Sequence, residues 1–129
     1  METISSQMTA CVISIYSEAT AQEAAQLMKE QEIGSLFIKG CQGYVGILAE
    51  RDLVHKLVCE GLDPKTTPVS KIMEESILAV DIYLTISDAR SLMQKYNINH
   101  LAVTKDDEIA GIVSIRDLAY KSKEPAQTY

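Results

Sequence analysis

At 129 residues, 47% apolar and 23% charged, the chain is one ordinary domain or two very small ones, with enough apolar surface for a core and too much for intrinsic disorder. A net charge of −6 argues against a sequence-independent grip on phosphate backbones, which needs a basic surface. With no Trp and a single Phe there is no base-stacking platform either, so nucleic acid is not the expected partner.

Cys11, Cys41 and Cys59 have no Cys-x-x-Cys spacing and suit a reducing compartment rather than a disulfide framework or a zinc site. His55 and His100 are the only histidines, so no metal site is expected. No apolar run approaches the roughly 18 residues of a membrane span. The start, Met-Glu-Thr-Ile-Ser-Ser, lacks the basic and apolar regions of a signal peptide. These features predict a cytoplasmic protein with no membrane contact.

Along the chain, Val12-Ile13-Ser14-Ile15 reads as a short strand. Thr20-Ala-Gln-Glu23 is a capping box, and Ala24, Leu27 and Met28 form the apolar stripe of a half-buried helix. Leu36-Phe-Ile38 and Tyr44-Val-Gly-Ile-Leu48 predict a hairpin around Gly40 and Gly43. A closing helix from Arg51 carries Leu53, Val54, Leu57 and Val58, with Gly61 placed to end it. Asp63-Pro-Lys-Thr-Thr-Pro68 has linker composition. The same order then returns: strand Ile77-Leu78-Ala79-Val80, cap Thr85-Ile-Ser-Asp88, helix with Ala89, Leu92, Met93 and Tyr96, hairpin Leu101–Val103 and Ile109–Val113, and a helix from Arg116.

The recurrence is a repeat. A shift of 65 positions aligns 4–53 with 69–118 without a gap, matching Met8 to Met73, Thr20 to Thr85, Gly46-Ile47 to Gly111-Ile112 and Arg51-Asp52-Leu53 to Arg116-Asp117-Leu118. Two β-α-β-β-α units follow, an α/β (α+β) fold in which the copies pack about a pseudo-twofold axis and leave two equivalent clefts. The expected boundaries are 8–62 for the first repeat, 63–72 for the linker, 73–121 for the second repeat and 122–129 for a flexible tail. Leu57, Val58 and Leu118 are expected on an outer apolar face, which self-association into a homodimer would cover.

A tandem pair of such units, each ending in Gly-apolar-apolar-x-x-Arg-Asp-Leu, resembles the cystathionine-β-synthase (CBS) domain family, in which two repeats form a Bateman module. The resemblance implies adenine nucleotides or adenosyl ligands (AMP, ADP or ATP, possibly NAD or S-adenosylmethionine) bound in the inter-repeat clefts, with occupancy passed to a regulated partner protein. Carried onto Gly111-Ile-Val-Ser114-Ile-Arg116-Asp117, it implies that Asp117 holds a ribose diol, Ser114 lies near ribose or phosphate, and Arg116 stands at the mouth. The chemistry agrees, since a carboxylate offers two acceptors to a vicinal diol. It implies one cleft from Ser114, Arg116 and Asp117 with Cys11, Ile13 and Ile33. The opposite cleft would use Arg51 and Asp52 with Ser76, Leu78 and Ile98, and His100 would fall near phosphate.

The residues alone leave another reading open, because Ser114 and Asp117 are also the N-cap and N3 of a helix. In the first copy Ala49 has no hydroxyl, yet Asp52 persists, which points beyond capping and also makes the two clefts unequal. No nucleophile–base pair stands out, so an enzyme is not expected. Beside the sensor stands the alternative of a nucleotide-free dimeric adaptor.

Overall fold

The computed structural model describes residues 2–10, 12–75 and 77–118. In the first copy β1 (Ser14–Tyr16) runs parallel to β2 (Ser35–Gly40), which is antiparallel to β3 (Gly43–Ala49), and helix α1 (Ala21–Gln31) makes the crossover. The chain then enters α2 (Glu50–Asp52), which loosens into a π-turn over Leu53–Val58; Cys59 N–H donates to Val54 O at 2.9 Å. The second copy repeats the plan with β4 (Ala79–Asp81), α3 (Ile86–Tyr96), β5 (His100–Lys105), β6 (Glu108–Ser114) and α4 (Ile115–Leu118). From β1 to the first residue of α2, every boundary recurs 65 residues later. The α+β class and the two-repeat order expected from the sequence are those observed.

Local chemistry sets the boundaries. Thr20 Oγ1 and Thr85 Oγ1 each accept the amide proton three residues on, from Glu23 and Asp88, at 3.2 Å. Both helices end on a left-handed residue, Glu32 (φ 55°) and Asn97 (φ 51°). The β5–β6 hairpin turns on Asp106 and Asp107, whose φ values of 53° and 65° are those of a mirror-image turn that suits strand twist.

The segments ahead of each first strand do not stay with their own copy. Ile4–Ser6 forms a single 3₁₀ turn that buries Ile4 in the core of the second repeat, among Ala89, Met93, Leu101, Val113 and Leu118. Val69–Lys71 does the same in the first repeat, where Val69 and Ile72 join Ala24, Met28, Leu36, Leu48 and Leu57. Each such residue contributes about 1.5–3 kcal/mol by leaving water. Farther along, Thr9 exchanges two backbone hydrogen bonds with Ile112 (2.9 and 3.1 Å), and Glu74 does so with Ile47 (3.0 and 2.8 Å). A third cluster of Phe37, Ile47, Ala102 and Ile112 joins the sheets. Phe37 and Ala102 are counterparts under the repeat shift, so one large and one small residue share that space.

Two expectations change here. Residues 63–72, read as linker, include the core residues Val69 and Ile72. Leu57 and Leu118, expected outside, are buried because the closing helices lie against α1 and α3; Val58 does face outward, with Val54 beside it. Among the described residues no helix is long and apolar enough to cross a membrane. The expected tail 122–129 lies outside the described residues.

The crossing depends on two glycines. A Cβ on Gly46 would come within 2.8 Å of the Glu74 carbonyl oxygen, and one on Gly111 would overlap the Thr9 carbonyl. Gly111→Ala is therefore expected to lower unfolding free energy in urea by about 1–3 kcal/mol, the usual cost of overpacking.

Candidate functional site

The two closing motifs meet at the junction of the copies. At the end of β6, Ser114 N–H donates to Asp117 Oδ2 (2.9 Å) and Asp117 N–H donates to Ser114 Oγ (3.0 Å), a complete capping box. In the first copy Ala49 N–H donates to Asp52 Oδ2 (2.9 Å), and Asp52 Oδ1 pairs with Lys56 Nζ at 3.0 Å. The inference that Asp52 persists without a capping role is corrected by this geometry. The carboxylate half of a capping box uses the N-cap backbone amide, which Ala49 supplies as well as any residue.

Above these caps lies one cleft of about 230 Å³, walled by both copies. The second copy contributes Asn99, His100, Ser114, Ile115, Arg116 and Asp117; the first contributes Gly34, Ser35, Ala49, Glu50 and Arg51, and the crossing segment adds Thr9. Of the residues expected to bind ligand, Ser114, Arg116, Asp117, Arg51 and His100 thus share a single cavity. Asp52 does not line it and is only 8% exposed. Ile13 and Ile33 are half-buried against the first repeat's core, with Ile33 also on a shallow groove between α1 and α2. Leu78 packs on the second core, and Ile98 is buried within it. Cys11 and Ser76 lie outside the described residues.

Sequence reasoning missed Asn99 and Glu74, which organise the floor of the cleft. Asn99 O accepts from Ile115 N–H at 2.8 Å, and its side-chain Oδ1 accepts from an Arg51 guanidinium N–H at 3.3 Å, a bond that joins the copies. Glu74 Oε1 accepts from Asn99 N–H (3.4 Å), while Oε2 stands 3.5 Å from His100 Nδ1. His100 Nδ1 has no hydrogen-bond partner within the usual geometric limits among the described residues. Burial pushes the Glu74 carboxyl up, but the His100 side chain, the Asn99 amide and the Lys56 charge outweigh it. The group rests below the ordinary carboxylate range. The position of Asn99 just before β5 is a readable signal; Glu74, at the start of the expected second repeat, carries none.

The arrangement suits an anionic, hydroxyl-bearing small molecule. Arg51 and Arg116 bring fixed positive charge, Ser114 and Asn99 bring neutral polar groups, Asp117 brings acceptors, and Glu50 adds a second carboxylate on the first copy's side. Among the described residues no group of three or more His, Cys, Asp or Glu side chains is placed to hold a metal ion.

Comparison with known proteins adds an independent finding. The family model described as CBS domain matches twice, at residues 2–59 and 69–124. The chain is 30% identical to the CBS domain-containing protein YhcV of Bacillus subtilis over 119 residues, covering 92% of this chain and 84% of that protein. It is 32% identical to hypoxic response protein 1 of Mycobacterium tuberculosis over 127 residues, covering 98% and 89%. Among solved structures it superposes on a hexameric CBS-CP12 protein from bloom-forming cyanobacteria with a TM-score of 0.81 and 30% identity, covering 95% of this chain and 72% of that one.

The ionised state of Glu74 has a consequence for stability. A carboxyl lowered in the folded state stabilises fully above the ordinary glutamate range, and the contribution is lost as pH falls through that range to the lower folded value. Urea unfolding followed from neutral to acid pH should show this loss. Glu74→Gln should be less stable than the parent at neutral pH and approach it in acid.

Proposed function

The chain belongs to the CBS domain family, and on that footing we propose that it is a regulatory module whose inter-repeat cleft takes an adenine nucleotide or related adenosyl ligand and signals occupancy to a partner protein. CBS domain pairs are generally regulatory and ligand-binding. The observation that carries the reading is the placement of Asp117 beside Ser114 and Arg116 on the cleft. One Asp117 oxygen caps α4, and the carboxylate is half-exposed at the rim, where a ribose diol can reach it. Arg116 makes no hydrogen bond or ion pair among the described residues and is exposed, which suits a phosphate.

A second reading is an adaptor acting through self-association, for which an outward apolar pair is the candidate surface. Val54 and Val58 are 52% and 69% exposed, four residues apart on the π-turn. A homodimer that covers them supports either function, and one structural relative is described as hexameric. Light scattering at micromolar concentration should give at least twice the 14.2 kDa chain mass. Val58→Glu should shift that mass toward the monomer.

Thermal shift with AMP, ATP, NAD and S-adenosylmethionine distinguishes sensor from adaptor: a rise in melting temperature is expected with at least one of them. Asp117→Asn retains an oxygen for the Ser114 amide but loses the charge. Its affinity for AMP should fall by about 1.5–3 kcal/mol, while the apo protein loses only about 0.3–1 kcal/mol. A variant that binds AMP as the parent does removes Asp117 from the site.

A further inference from the structure

Resting on the nucleotide reading, we infer that each chain takes one ligand, not two. Its phosphate is held in common by Arg116 of the second copy and Arg51 of the first. A pseudo-symmetric pair of copies offers two sites by default, and five features of the cleft remove one of them.

Both arginines line the same cavity, whose volume of about 230 Å³ is below the roughly 300–1,000 Å³ of ordinary small-molecule pockets. It has room for the polar end of one ligand, and two phosphates there would repel. Arg51 also leans away from its own copy, since its guanidinium bonds Asn99 of the second copy at 3.3 Å.

The polar groups are unevenly shared. Asn99, His100 and Ser114 have Gly34, Ser35 and Ala49 as their counterparts under the repeat shift, so the first copy lacks the amide, the imidazole and the capping hydroxyl. Where the second copy has the uncharged Ile115, the first has Glu50. The Glu50 carboxylate lies over Gly34, with Oε1 only 3.1 Å from where a Cβ would stand. A carboxylate at that spot opposes a phosphate.

The two aspartates also part company. Asp117 is on the cleft, whereas Asp52 is buried off it with one oxygen on the Ala49 amide and the other on Lys56. Lys121, the counterpart of Lys56, lies outside the described residues, so the distinction between the aspartates is drawn from burial and cleft position. By that measure the first motif supplies an arginine to the ligand and a cap to its own helix.

Titration calorimetry of the full chain with AMP tests this. The expected result is one AMP per chain, with Arg116→Ala and Arg51→Ala each weakening that same event by roughly tenfold to a hundredfold. Arg51→Lys should recover part of the loss. Asp52→Asn should lower the melting temperature and leave AMP affinity unchanged. Glu50→Gln should tighten AMP about twofold to fivefold, a gain that misfolding cannot imitate. Two AMP per chain overturns the shared site while leaving the nucleotide reading intact. So does an Arg51→Ala protein with parental affinity, or a Glu50→Gln protein that binds more weakly. If AMP is silent and ATP, NAD or S-adenosylmethionine binds, the same outcomes are read with that ligand; no binding of any of the four overturns the nucleotide reading itself, and the shared site with it.

Discussion

Close backbone approach at Gly46 and Gly111 governs the rest of the structure. Thr9 reaches β6 and Glu74 reaches β3 only because no Cβ stands in the way, and each forms a reciprocal pair of backbone hydrogen bonds there. Those pairs hold the crossing segments against the opposite sheet, which in turn seats Ile4, Val69 and Ile72 in their cores. Hydrophobic burial supplies the magnitude, but the glycines decide the geometry in which it can be collected. A methyl group at either site would force the partner strand outward and loosen a core some distance away.

The same crossing builds the cleft. Thr9 lines the cleft where the closing motifs converge, and Glu74 bonds Asn99, which lines it too. Glu74 adds a carboxylate under Asn99 and His100, whereas Thr9 adds only a small hydroxyl on its side. A symmetric scaffold thus carries an asymmetric electrostatic field. The asymmetry comes from side chains and not from the backbone, whose element boundaries from β1 to the first residue of α2 recur in the second copy.

Much of this was legible in the residues. The threonine caps, the apolar stripes through Met28 and Met93 and the repeat shift all report local or periodic physics, and the elements appear where those signals put them. The glycines were legible as matches, but their reason was not. The atoms a Cβ would strike belong to segments remote in sequence, and nothing local marks them. The linker composition of Asp63–Pro68 was read too far along the chain, since Val69 and Ile72 just beyond it are core. Asp52 shows the limit most clearly. Its persistence beside Ala49 suggested a ligand, because a cap was judged by its hydroxyl half alone, while the carboxylate half acts on a backbone amide that any residue carries. Asn99 and Glu74 escaped for a related reason: their importance lies in what they bridge.

The exchanged segments separate two ideas of a unit that are usually one. As a pattern of residues, each copy begins before its first strand and includes its 3₁₀ turn. As a packed body, each copy lacks that turn and borrows the other's, so Ile4 completes a core whose other fully buried members follow it by more than seventy positions. A solitary copy would therefore contain a hole where its neighbour's isoleucine or valine belongs, and an unclaimed turn of its own. It could fill both only by reciprocal exchange with a second solitary copy. Tandem duplication turns that intermolecular exchange into an intramolecular one, trading dependence on concentration for dependence on the tether.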